Sequence, residues 1–325
     1  MTTTSPKPRT PARRDVAQAV TARILDQLDH GTVPWQRPWS TSGFDPFPRN
    51  LATGAAYRGI NVTLLWSADC GSPWWVTYHQ VRKLGGQVRK GEHSAPIVVW
   101  KDTLKRLRTQ TQLDEARRER RQIVRHPNGG LAAKVVFGRI YHVFNATDQV
   151  DGLDDHPVLQ ATREEPDWDP LPVCEDLVAR YPNPPTITTG GIQAFYDLAR
   201  DLVRMPDRHR FPEPTRWHAA LFHELVHSTG APARLHRLDL TQAARRDSQA
   251  YAREELTAEI GAAFLCAHAR IDTPHLHDQH AAYIDGWRRR VTGDPKLVLL
   301  AAQRAQKAVD HILDQHGPRE REEAA

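Results

Sequence analysis

The chain has 325 residues and a mass of 36.8 kDa, enough for two domains of ordinary size and too much for one small core. With 39% hydrophobic and 26% charged residues and a mean hydropathy of −0.61, it is neither a disordered chain nor an integral membrane protein. The 44 Lys+Arg against 39 Asp+Glu leave a net charge of only +5, so any strongly basic surface must be local.

In chain order, residues 1–14 are Thr, Pro, Ser and Arg without apolar periodicity, and read as a disordered basic arm. No apolar core of a secretion signal is present there, and the chain reads as soluble and cytoplasmic, with no membrane partner. Val16, Val20, Ile24, Leu25 and Leu28 then recur at helical spacing before Gly31. The stretch 32–59 is an irregular loop broken by prolines, with Trp35, Trp39, Phe44 and Phe47 between them. Helical patterns over 60–68 and 77–85 precede a β-branched run at 96–100 and an alternating strand at 134–145. These two strands are expected to pair across a basic insertion at about 103–133, which is either a solvated helix or a mobile loop at a hairpin tip.

The composition changes at Asp151. Residues 151–170 are acidic and proline-rich, a linker between a first domain over 15–150 and a second over 171–316, with a charged tail at 317–325. The second half reads as a helix near 172–181, strands over 185–197 and 202–206 around a turn, a helix ended by Gly230, a long helix near 252–271 and a helical tail. The fold class is α+β: a mixed α/β front domain and a mainly helical rear domain with a small sheet.

His223, Glu224 and His227 spell H-E-x-x-H. On a helix, i and i+4 share a face, so two imidazoles reach one ion while the glutamate leans toward its open position. Given 17 His and 14 Glu, chance would supply about 0.04 such matches. A hydrolytic zinc site needs a third protein ligand and leaves the fourth position to water. Glu255 on the next long helix is assigned that place, with Glu254 as the alternative, and Glu259 is expected to take the other ring N–H of a ligand histidine. With Zn2+ held there, Glu224 would act as general base in peptide hydrolysis. No residue stands out for stabilising an oxyanion; Tyr251, His236 and Arg234 are the nearest guesses, and Cys266 and His268 read as structural.

Six of the nine tryptophans fall in the first hundred residues, and between 49 and 90 six Lys/Arg face one acid. Aromatic faces stack on unpaired bases and cations neutralise phosphates, so this half reads as a binder of single-stranded nucleic acid. Trp35, Arg37, Trp39, Arg49, Tyr57, Arg58, Arg82, Lys83, Arg89 and Lys90 are the candidate contacts. Trp66 and Trp100, each inside an apolar run, are expected to be buried.

GTVPWQRPWS, PRNLATGAAYRGINVTLLW, WVTYHQVRKLGGQVRKGEHSAPIVVWK and YHVFNATDQVDGL resemble the N-terminal domain of ArdC-type antirestriction proteins and TraC-type plasmid primases. GGIQAFYDLARDLVRMP, HELVHSTGAPARLHR and YAREELTAEIGAAFL are similar to the zincin-like metallopeptidase domain that follows it in that family. The resemblance covers roughly 15–270. It implies single-stranded-DNA binding joined to a zinc peptidase with an unknown protein substrate, on mobile elements that protect incoming DNA. It carries the ligand roles to His223 and His227, the base to Glu224 and the third ligand to the EELTAE stretch. Ser228 departs from the family's usual aromatic after HExxH, YDLARD from its polar turn, and the 103–133 segment looks inserted. The chain is too short for a primase catalytic domain. Two rival readings are a non-catalytic strand binder with a structural zinc, and a protease whose basic face binds an acidic protein.

Overall fold

The computed structural model describes residues 16–30, 33–35, 47–68, 70–160, 170–237, 249–271 and 280–315. The N-terminal arm, Arg37, Trp39, residues 161–169 of the acidic linker and the charged tail lie outside them.

Helix α1 (Val16–Asp29) buries Val20, Ile24 and Leu28, the four-residue spacing of one helical face. The short helix α2 (Ile60–Trp66) is buried at every position. Its Asn61 accepts from the Val98 N–H at 2.7 Å and donates to the Val98 carbonyl at 2.9 Å, welding the helix to a strand. The front sheet runs in the order β1 (Arg49–Asn50), β2 (Trp74–Thr77), β6 (Leu131–Asn145), β4 (Ala95–Leu107), with β5 (Ile123–Arg125) beside the far end of β6. Helix α3 (Tyr78–Lys83) starts on a capping box between Thr77 and Gln80. A two-stranded ladder joins β3 (Gln87–Val88) to β7 (Val150–Asp151).

The expected pairing of 96–100 with 134–145 is present, with Val98 opposite Ile140, but the ladder does not stop there. It continues to Leu107 opposite Leu131, and helix α4 (Gln110–Arg118) and β5 close the tip. The 103–133 segment is therefore an ordered β-arm and not a bare helix or loop. Its lysines and arginines divide between strand positions such as Lys105 and Arg106 and the short helix α4 with its flanks, a division that composition alone does not show. Trp100 is also a correction: it is 45% exposed, because β4 is leaving the body there and Gly138 opposite offers no side chain to cover it.

After the short helices α5 (Pro157–Gln160) and α6 (Pro170–Ala179), β8 (Thr186–Thr189) and β10 (Leu202–Met205) pair in parallel, and β9 (Phe195–Asp197) adds antiparallel to β10 as an edge strand. Among the described residues the helices α7 (Pro214–Ser228), α8 (Gln249–His268), α9 (His280–Gly293) and α10 (Leu297–Ile312) follow. Among the described residues no helix is long and apolar enough to cross a membrane.

The largest core cluster draws on both halves of the chain, joining Ile24, Trp35, Ile60 and Trp66 to Phe222, Phe264, Val298 and Val309. Trp66 meets Phe264 edge-on at 5.6 Å and Trp35 meets Trp287 at 5.7 Å. At the surface of this junction Arg58 reaches both oxygens of Asp310, at 2.5 and 2.6 Å.

Candidate metal centre and nucleic-acid face

Pro214 at the first turn fixes the start of α7, and Trp217, Leu221, Phe222, Leu225 and Val226 bury its apolar face. That leaves His223 and His227 one turn apart on the side facing α8, with their Nε2 atoms 3.1 Å apart. Helix α8 can come close because position 261 is glycine: a Cβ there would lie 2.8 Å from Val226 Cγ2. The close crossing brings Glu255 over the imidazoles, 3.7 Å from His223 Nε2 and 3.5 Å from His227 Nε2. These three side chains offer ligand atoms within 4.8 Å of one another.

Donor atoms around a tetrahedral ion at 2.0–2.1 Å stand about 3.3 Å apart, inside the range found here. Two imidazoles and one carboxylate are also the donor set of a hydrolytic zinc site. Burial pushes the Glu224 carboxyl above its ordinary range, although the His227 charge and the Tyr196 backbone N–H pull it down. Burial likewise raises Glu255, helped by Glu259 and Glu254. Carboxylates crowded into a half-buried space and destabilised by one another make a pocket suited to a cation.

The carboxylate on the second ring nitrogen is Glu254, whose Oε1 lies 3.2 Å from His227 Nδ1. Sequence reasoning did not assign Glu254 this place on His227; Glu259 is buried one turn beyond Glu255 on α8. Glu254, the alternative ligand, has its oxygens engaged by His227 and Arg237. Arg237 donates to Oε2 at 2.9 Å and to Oε1 at 2.5 Å, and to the Val226 carbonyl at 2.7 Å. Burial would raise the Glu254 carboxyl, but the bonds from Arg237 and His227 hold it at about 2. The chain Arg237–Glu254–His227 fixes the histidine's tautomer so that Nε2 presents its lone pair to the site. Arg237 escaped sequence reasoning because an arginine ten residues past HExxH has no pattern of its own.

Of the three guesses for an oxyanion partner, Tyr251 hydrogen-bonds the Glu255 carboxylate. Arg234 is spent on Asp201, Tyr196 and the carbonyls of Ser228 and Asn183. His236 is exposed and stands at φ 49° on the turn after the helix. Ser228, small where an aromatic was expected, accommodates the buried Tyr181 ring, with the two hydroxyl oxygens 3.0 Å apart. Burial pushes that phenol up to about 12.

The nucleic-acid candidates divide. Trp35 is fully buried against Trp287 and cannot stack on a base, because the residues after α1 fold back into the shared core. Arg58 is held by Asp310, and Arg89 by Asp151 at 2.6 Å and the Asp148 carbonyl. Arg49 donates to the Gly54 carbonyl, and Tyr57 is half-buried with its hydroxyl accepting from Asn50. Arg82, Lys83 and Lys90 are exposed.

Two family models match the chain: the N-terminal domain of anti-restriction factor ArdC over residues 14–144, and a zincin-like metallopeptidase over residues 175–304. Among curated proteins, it is 35% identical to a DNA primase TraC of Escherichia coli over 91% of the chain. It spans only 27% of that primase's length, about a quarter. It is also 33% identical to the uncharacterized protein y4eC of Sinorhizobium fredii (strain NBRC 101917 / NGR234), over 99% of this chain and 98% of that one. Among solved structures, the metal-free antirestriction ArdC protein from plasmid R388 aligns with a TM-score of 0.69 at 32% identity, covering 92% of this chain and 97% of that one. The Mn(II)-bound form of the same protein aligns at 0.66 and 31%, with the same coverage. With both family domains in order and near-complete mutual coverage of the R388 protein, the chain belongs to the ArdC-type antirestriction family.

Proposed function

We propose that this protein binds single-stranded DNA arriving with a mobile element, protects it from restriction in the cytoplasm, and carries a zinc-dependent peptidase centre in its rear half. The observation behind the peptidase reading is the meeting of His223, His227 and Glu255 with Glu224 at their side. The Mn(II)-bound form of the R388 protein supports a divalent cation in this family, and the two-imidazole, one-carboxylate donor set favours zinc.

His223, His227 and Glu255 would hold the ion, which when bound supplies a Lewis acid that acidifies water and polarises a carbonyl. Glu224 carries out the proton transfers: its raised pKa suits a carboxylate that takes a proton and delivers it to the leaving amine. Glu254 and Arg237 hold His227 in place, and Tyr251 steadies Glu255. In the front half, Arg82, Lys83 and Lys90 are proposed to meet phosphates, and a protein bound to the same strand would be the substrate.

Glu224→Gln separates the two activities, because it keeps the ligands and removes the base. Loss of protection in a conjugation-restriction assay, with zinc content and strand binding unchanged, is the expected result. Full protection by that variant would leave strand coating as the mechanism and the ion as a staple.

A further inference from the structure

The β-arm has a two-faced pattern that the candidate DNA contacts do not include. In β4, Val99, Lys101, Thr103 and Lys105 alternate onto one face, and across the ladder Arg139, Phe137, Val135 and Ala133 stand opposite them. No carboxylate occupies those rows. Asp102, the one acid of β4, points to the other face and pairs there with Lys134. Arg121, ion-paired with Glu119 at the tip, lines the same groove as Lys105 and Phe137.

Cations and rings interleave on this face. The Arg139 guanidinium lies 5.6 Å from the centre of the Phe137 ring, and the Lys101 ammonium 6.0 Å from that of Tyr141. Phosphate-neutralising groups thus stand next to flat apolar surfaces, and the row from Val99 to Lys105 extends about 20 Å, room for a few nucleotides in a line. A duplex presents no open base faces to such rings. Nor does the arm suit the major groove: with β5 beside β6 and α4 at the tip, three strands about 4.8 Å apart plus their side chains exceed a groove of about 12 Å.

From this we infer that the Lys101–Phe137–Arg139 face of the β-arm is a docking surface for single-stranded nucleic acid, separate from the Arg82, Lys83 and Lys90 group. The inference rests on the strand-binding reading above and adds a location to it.

The test uses the full chain and a fluorescein-labelled oligo-dT of twenty nucleotides, titrated by anisotropy from low to moderate salt. The triple variant Lys101→Gln, Lys105→Gln, Arg139→Gln is expected to bind about tenfold or more weakly at low salt. Its log K against log salt should be flatter by about 2, three phosphate contacts at about 0.7 each. Phe137→Ala should weaken binding roughly tenfold while keeping the slope, since stacking carries no charge. Photocrosslinking with bromouracil-substituted oligonucleotide should map to the peptide carrying Phe137 and Tyr141. If the parent binds and the triple variant matches it in affinity and slope, the surface lies elsewhere while strand binding stands. If the parent does not bind the oligonucleotide at all, both readings fall together. Equal affinity of the parent for a duplex of the same length overturns the commitment to single strands.

Discussion

Gly261 on α8 rests against Val226 on α7 so closely that the smallest side chain, a single methyl, would come within 2.8 Å of the valine. The contact lies between the helix that supplies both histidines and the helix that supplies Glu255. Gly261→Ala should therefore push the helices apart, destabilising the fold by about 1–3 kcal/mol, and should weaken zinc binding as well. Adding Val226→Ala should restore much of both. Thermal melts and competition titrations with a chromogenic chelator provide the check; an unchanged zinc affinity in the single variant would show that the crossing does not set the ligand spacing.

Arg237→Met leaves the buried Glu254 carboxylate without its cation. A loss of about 3–5 kcal/mol is expected in urea unfolding. Glu254→Gln should lower zinc affinity roughly 10–100-fold by loosening the His227 ring, and Glu259→Gln much less. The reverse order for the two glutamates would return the orienting role to Glu259.

Arg58 and Asp310 connect the front half to the last helix, and their partial burial makes the pair testable. A double-mutant cycle with Arg58→Met and Asp310→Asn should give a coupling of about 0.5–3 kcal/mol. Oligo-dT affinity should change little in Arg58→Met, since its guanidinium already serves a carboxylate. A large, salt-dependent loss of binding would instead restore Arg58 to the DNA contacts.

Tyr181 carries an alkaline limit. Its folded-state value of about 12 stands above the ordinary 10.0, so folding favours the protonated phenol. That stabilisation, about 3 kcal/mol, is complete below pH 10 and is lost as pH rises from 10 toward 12. Tyr181→Phe should remove this part of the pH dependence, at the cost of the bond to Ser228, as followed by urea melts and phenolate absorbance.

The rear half was legible because its chemistry is periodic: HExxH on an amphipathic helix and a glutamate pair on the next one fix the ligand face by helical geometry alone. The contact of Glu254 with His227 was not legible, because it depends on Arg237 arriving from the turn beyond α7. In the front half, the strands at 96–100 and 134–145 were readable from alternation. The fate of Trp35 was not, since a proline-flanked tryptophan looks the same whether it meets solvent or, as here, the Trp287 ring some 250 residues away. Trp100 misled in the opposite sense: an apolar run implies a core only if the sheet around it is covered on both faces.

The edge-on meeting of Trp66 with Phe264 has a further consequence. Phe264 belongs to the same helix as Glu255, so the front half serves as a wall of the interior that steadies the His223–His227–Glu255 cluster. Cutting the gene at the acidic stretch would not release two tidy modules but two pieces with sticky, half-built interiors. Whatever engages the front of the molecule therefore pushes on the same scaffold that brings His223, His227 and Glu255 together.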